Sequence, residues 1–161
     1  RPTFSLLHPL TVLESSGCNN FTQVAFNISA GASNEVDQQL SFQVVSIEPP
    51  SLLSNHPCGC SSCPPLSIDP VTGIAIFEVV EHEVGNFTVE VQLQDNGGSE
   101  RGGENISVVQ RLEVVIQPVN DRPSFLVNNF DVYERQELSH EEIPGAAVNI
   151  SAGISPDEQG Q

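Results

Sequence analysis

The four cysteines are the residues of this chain best spaced for chemistry. Cys58-Gly59-Cys60-Ser61-Ser62-Cys63 sets three thiols within six residues, and Cys18 lies 40 positions upstream. Four sulfurs of the C-x-C-x-x-C type can hold a tetrahedral zinc ion as thiolates, or close two disulfides where the compartment is oxidising. A second pattern bears on the compartment. Asn-x-Ser/Thr occurs at Asn20, Asn27, Asn86, Asn105 and Asn149, five of the 12 asparagines, where the Ser and Thr content gives roughly two by chance. That excess points to a secreted or cell-surface protein carrying covalent N-glycans, and therefore to disulfides among Cys18, Cys58, Cys60 and Cys63. A bridge from Cys58 to Cys60 would strain so short a loop, which leaves Cys18 to pair with Cys58 or with Cys60. Either pairing ties the loop after the first strand to the long middle loop.

Charge removes one class of partner. The chain has 21 acidic residues against five basic ones, all arginine, for a net charge of −16. Nucleic acid binding needs clustered Lys and Arg, so nucleic acid is excluded as a partner. The acids are scattered, as on a solvated surface, with divalent cation binding by some of them as the competing use. His8, His56, His82 and His140 are isolated, and none stands at His-x-x-x-His spacing. No Gly-x-Ser-x-Gly elbow, phosphate-cradling loop or catalytic Cys/His pair is present, so no enzyme is expected. No apolar run approaches 18 residues, so no membrane insertion is expected in this segment. No leader pattern opens the chain, which leads to the expectation of a soluble, already processed protein.

These residues must be positioned by strands. Val, Ile, Leu and Phe dominate the apolar set, Trp and Met are absent, and Gly and Pro number 12 each. Phe4–Leu7 and Thr11–Glu14 read as a first strand broken at Pro9, followed by a polar loop holding Cys18. Over 24–29 the alternation predicts Val24, Phe26 and Ile28 facing inward and Asn27 outward. Leu40–Val44 alternates again, and Phe87–Leu93 does so most cleanly, ending at the turn Asp95-Asn96-Gly97-Gly98. Between them, Ser67–Asp69 leads through a turn closed by Gly73 into a strand through Val80, both of whose faces are apolar. Leu112–Ile116 forms the last strand. Seven strands at this spacing predict an all-β, Greek-key sandwich of the immunoglobulin or cadherin-like kind.

The chain then starts again. Arg122-Pro123-Ser124-Phe125 repeats Arg1-Pro2-Thr3-Phe4, Val132-Tyr133-Glu134 answers Val12-Leu13-Glu14, and Asn149-Ile150-Ser151-Ala152-Gly153 matches Asn27-Ile28-Ser29-Ala30-Gly31 letter for letter. One complete repeat over 1–121 and a partial second over 122–161, its first two strands, follow. Pro118 and Pro123 forbid a helix between them and make Val119-Asn120-Asp121 a stiff linker.

Three stretches carry a resemblance: Ser67-Ile68-Asp69-Pro70-Val71-Thr72-Gly73-Ile74, Val91-Gln92-Leu93-Gln94-Asp95-Asn96-Gly97-Gly98, and Val119-Asn120-Asp121-Arg122-Pro123-Ser124-Phe125. In this order they resemble the cadherin-like repeats found in tandem in adhesive cell-surface and secreted proteins, in the subgroup whose linkers read Val-Asn-Asp-x-Pro. The resemblance implies sandwiches joined end to end, with no cofactor required other than calcium where linkers bind it. By motif, the calcium candidates are Glu14, Asp95, Asn120 and Asp121, with Glu134 opening the next repeat. Pro118 stands where the cadherin linker has its first aspartate, and Leu-Asp-Arg-Glu and Asp-x-Asp are absent. The competing expectation for the linker is therefore a rigid, proline-bounded joint.

The function expected is that of a structural or adhesive module in an extracellular, N-glycosylated fibre or stalk. Its partners would be further copies of itself. The rival expectation is a calcium-dependent module that recognises carbohydrate or protein. Two strands alone cannot bury a face. Phe125, Val132, Tyr133, Val148 and Ile150 are therefore expected either to be covered by further sequence of their own chain or to assemble with a neighbouring copy by strand addition.

Overall fold

A computed structural model describes residues 1–7, 9–55, 57–98, 103–129, 131 and 144–153 of the 161-residue chain. The chain divides into two compact units, Arg1–Pro118 and Val119–Gln161, so the linker residues Val119–Asp121 belong with the second unit.

The described residues of the first unit form nine strands: β1 (Thr3–Leu6), β2 (Leu10–Leu13), β3 (Cys18–Phe21), β4 (Ala25–Ser29), β5 (Leu40–Glu48), β6 (Leu66–Ile68), β7 (Ala75–Glu78), β8 (Gly85–Asp95) and β9 (Gln110–Gln117). One sheet has the order β2-β9-β8-β5, with β2 parallel to β9 and the other pairs antiparallel. The facing layer contains β3-β7-β6 and the pair β1-β4, tied to β3-β7-β6 where the Ala25 amide donates to the Gly73 carbonyl at 3.1 Å. Two of these strands are halves of longer ones. β1 and β2 are separated at Pro9, which cannot donate to a ladder, and the chain changes sheets there. β3 and β4 are separated at Gln23, whose φ of 58° breaks the extended backbone. With each broken strand counted once, the unit is an all-β sandwich of seven strands, and Cys18 lies on a strand rather than in the expected loop.

The core lies between the two layers. Phe87, Val89, Val91 and Leu93 of β8 are all buried, as the period of two requires, with Leu112, Val114 and Ile116 of β9 beside them. Opposite them, β7 buries Ala75 and Phe77 and leaves Ile76 exposed, which resolves the strand whose two apolar faces gave no direction. Phe77 stacks on Phe21 at 5.2 Å and meets Phe87 edge-on at 6.1 Å.

One inward assignment is reversed. Val24 is fully buried, but Phe26 is 43% exposed. The pairing runs Thr3↔Ser29, Ser5↔Phe26 and Leu6↔Ala25, so β4 carries one residue more than β1, and Asn27 absorbs it at φ 53°. A bulge of this kind shifts the alternation by one, and Phe26 is turned to solvent.

The second unit repeats this device. β10 (Ser124–Val127) pairs with β11 (Ala147–Ser151) through Ser124↔Ser151, Leu126↔Val148 and Val127↔Ala147, with Asn149 at φ 52°. Each pair is the counterpart of a β1–β4 pair, offset by 121 residues on one strand and 122 on the other. The flanking bond recurs too: the Leu7 amide donates to the Val24 carbonyl and the Asn128 amide to the Ala146 carbonyl. The Asn-Ile-Ser-Ala-Gly echo is therefore the sequence of a β-bulge.

The β6–β7 turn is closed by side chains and by one glycine. The Asp69 carboxylate accepts from the Thr72 hydroxyl at 2.7 Å and from the amides of Thr72 and Val71. The Thr72 hydroxyl, with these amides, holds Asp69 below the usual carboxylate pKa. A group so lowered contributes to the turn above its unfolded pKa, and the contribution is lost as pH falls through the lowered value. Thr72→Val is expected to raise the Asp69 titration midpoint, read by carboxyl-carbon NMR; an unchanged midpoint would contradict this. Gly73 has φ 70°, and a Cβ there would lie 1.9 Å from the Ala25 carbonyl oxygen. Gly73→Ala is expected to cost more than about 2 kcal/mol in denaturant unfolding, because both strain and backbone collision oppose it.

Candidate functional site

The cysteines form two disulfides, Cys18–Cys58 with Cα atoms 4.9 Å apart and Cys60–Cys63 at 5.4 Å, and none is free. Of the two partners open to Cys18, the bridge takes Cys58. The residue that sets this geometry is Glu78, which the sequence does not single out. Glu78 is the cross-strand partner of Cys18 on β7, and its carboxylate accepts from the Cys58 amide at 2.6 Å. It thus holds the short 3-10 turn Pro57–Gly59 against the start of β3. The turn needs this support because Cys58 has φ 59°, a left-handed conformation that a non-glycine residue adopts only when its surroundings impose it. The strap joins β3 to the loop between β5 and β6.

Of the calcium candidates, the two in the first unit, Glu14 and Asp95, are not brought together. Glu14 and Asp95 are both buried. The Glu14 amide donates to the carbonyl of Gln117 at the end of β9, level with the start of β8, since Gly85 pairs with Ile116. Asp95 closes β8 ten residues further on, so the two carboxyl groups lie about 30 Å apart at roughly 3.3 Å per residue. They cannot share one ion. Asp95 instead closes its own turn: its carboxylate accepts from the Gly97 amide at 2.8 Å, and its amide donates to the Asn105 carbonyl. The Asp95-Asn96-Gly97-Gly98 turn is in turn joined to Gln39, whose amide donates to the Asn96 side chain. In the second unit, the Asn120 side chain donates to the Asp121 carbonyl, while Glu134 lies outside the described residues. Among the described residues, no group of three His, Cys, Asp or Glu side chains is placed to hold a metal ion.

The five sequons divide by setting. Asn20 on β3, Asn86 on β8, and the bulge residues Asn27 and Asn149 are exposed, whereas Asn105 is half-buried. The hydroxyl of the Asn105 sequon is engaged in the fold. Ser107 is buried, accepts from the Leu93 amide and donates to the Val108 carbonyl, each at 2.8 Å.

Two features among the described residues leave strand edges or apolar side chains uncovered. β5 and β6 are edge strands of their sheets, and between them lies an open groove of about 450 Å³ lined by Phe42, Gln43, Val44, Pro64, Leu66, Ser67, Ile68 and Val91. In the second unit, Phe125, Leu126, Val127 and Ile150 are 59–75% exposed, and Val148 is half-buried. The first-unit counterparts of Phe125 and Val127, Phe4 and Leu6, are buried, with Phe4 packed edge-on against Phe42 of β5 at 5.0 Å. Val132 and Tyr133 lie outside the described residues. No helix of the described residues is long and apolar enough to cross a membrane.

Loop length ranks the two bridges. The Cys18–Cys58 loop of 40 residues is worth about 4 kcal/mol on a chain-entropy count, and the short Cys60–Cys63 loop about 2 kcal/mol. Replacing Cys18 and Cys58 together by Ser is expected to lower the unfolding free energy more than replacing Cys60 and Cys63 together, in denaturant titrations of the full chain. The reverse ranking would remove Cys18–Cys58 as the principal staple.

No protein-family model matches the chain, and no curated protein matches it.

Proposed function

We propose that this chain is a repeat module of a cadherin-like kind, serving a structural or adhesive role in an extracellular, N-glycosylated fibre or stalk. The observation that carries the reading is the recurrence of the β1–β4 pair as β10–β11, with the same register, the same bulge and the same left-handed asparagine. Equivalent units in series build length without new chemistry, and stability passes between neighbours. The two disulfides fit an oxidising compartment, and the exposed sequon asparagines are open to modification.

Copies of the chain associate head to tail through strand addition. The exposed apolar strand β10 supplies Phe125, Leu126 and Val127, and the free edges of β5 and β6 supply backbone partners and the groove between them. An exposed edge is ordinarily blunted by lysine, and this chain has none. Because the surfaces joined are different, the contact does not close on itself and gives a filament.

Sedimentation velocity of the full chain over micromolar to millimolar concentrations tests this. Weight-average mass is expected to rise continuously with concentration, and Leu126→Lys with Val127→Lys should hold the chain monomeric. A single monomeric species at every concentration would reject assembly between copies.

A further inference from the structure

Two cross-strand rungs, one on the outer face of each sheet, share a composition that the core does not explain. On β3-β7-β6, Asn20 lies opposite Ile76, and Ile76 lies opposite Ser67. On β8-β9-β2, Asn86 lies opposite Val115, and Val115 lies opposite Thr11. Ile76 stands between the buried Ala75 and Phe77, and Val115 between the buried Val114 and Ile116, so both point away from the core. In each rung a sequon asparagine is followed by an outward β-branched apolar side chain and then by a hydroxyl. The remaining outward positions of β8 and β9 nearby are Thr88, Glu90, Glu113 and Arg111, which makes Val115 the exception on a polar face.

We propose that glycans at Asn20 and Asn86 are docked on the sandwich, the first N-acetylglucosamine of each laying the apolar face of its ring on Ile76 or Val115. This rests on the N-glycosylated reading above and deepens it by naming the residues that receive the sugar. Side chains directly opposite on adjacent strands have Cβ atoms about 5 Å apart, and strands are spaced about 4.8 Å, so a ring attached to the asparagine amide covers the neighbouring strand. Its polar substituents then reach the third strand, where Ser67 and Thr11 offer exposed hydroxyls. The apolar side chain loses contact with water and the sugar loses freedom on a surface that matches it. The other sequons lack the rung. Asn27 and Asn149 sit on bulges outside the paired register, and Asn105 is half-buried. One consequence is directional: with both sheet faces covered by sugar, only the edges and ends of the sandwich remain open to partners.

The full chain secreted from a eukaryotic cell provides the test, in three forms: fully glycosylated, trimmed to one N-acetylglucosamine per site, and stripped of the last sugar. Trimming is expected to leave the melting temperature unchanged, and removing the last sugar should lower it by about 3–6 °C. In the variant carrying Ile76→Ser and Val115→Ser, both outward positions, that fall should disappear. Thr22→Ala, which removes the Asn20 acceptor motif without touching Asn20, should reproduce part of the fall. The rate of removal of the last sugar from the native fold gives a second readout, expected to be several-fold slower at Asn20 and Asn86 than at Asn27 and Asn149. Masses with no sugar at any sequon would overturn the glycosylated reading and this inference with it, whereas sugar at Asn27 or Asn149 with none at Asn20 and Asn86 would overturn this inference alone. Sugar present at both sites, with an equal fall in the serine variant, no fall at all or equal removal rates, would overturn docking alone.

Discussion

The contact between Phe77 and Phe87, edge to face at 6.1 Å across the gap between the layers, is the interaction on which the rest of the first unit depends. Each ring is fully enclosed, and each sits on a strand whose inward positions are all buried. That pair sets how far apart β7 and β8 lie. It thereby fixes which side chains of both sheets face solvent, and so where sequons, edges and turns are presented. Phe21 extends the stack to β3 at 5.2 Å, so the strand that begins at Cys18 is held at one end by a ring and at the other by a disulfide. Truncating a buried ring of this kind costs about 3–5 kcal/mol, as much as either disulfide is worth.

Legibility in the sequence followed the period of two and ended where the period is interrupted. β8 could be read residue by residue, because Phe87, Val89, Val91 and Leu93 alternate with polar partners over its whole length. Phe26 could not. Its orientation depends on Asn27 taking φ 53°, and an asparagine in a strand reads as an outward polar residue whether or not it bulges. The bulge was nonetheless recorded in the sequence as the repeated Asn-Ile-Ser-Ala-Gly; the repeat was visible and its cause was not. Ile76 and Phe77 are both apolar and strand-forming, and only the opposing layer decides which of them is covered.

The candidate sites were legible in a similar way, as residue types without distances. The cysteines and sequons could be named from spacing alone, but the choice of Cys58 over Cys60 for Cys18 rests on Glu78, whose role appears only once β3 and β7 are paired. Glu14 and Asp95 belong to one motif set in sequence and to opposite ends of a sheet in space, because β8 starts beside the end of β9, runs back along it to Val91 and continues to Asp95. No local pattern encodes that separation. The two rungs through Ile76 and Val115 combine residues from three strands each, and they too exist only in the register.

On the function proposed above, a module with sugar on its faces and unblunted strands at its margins is suited to contact through edges and ends. The second unit presents the first strands of the same sandwich with their inward residues uncovered, and the first unit shows what covers such residues: an aromatic side chain on a β5-type strand. The most direct measurement is amide hydrogen exchange of the full chain as a function of its own concentration. If copies join by strand addition, protection of the β10 amides and of those along the free edge of β5 rises together with concentration, while protection in β8 stays constant. Protection of β10 that is the same at every dilution, with the β5 edge exchanging freely throughout, would contradict it.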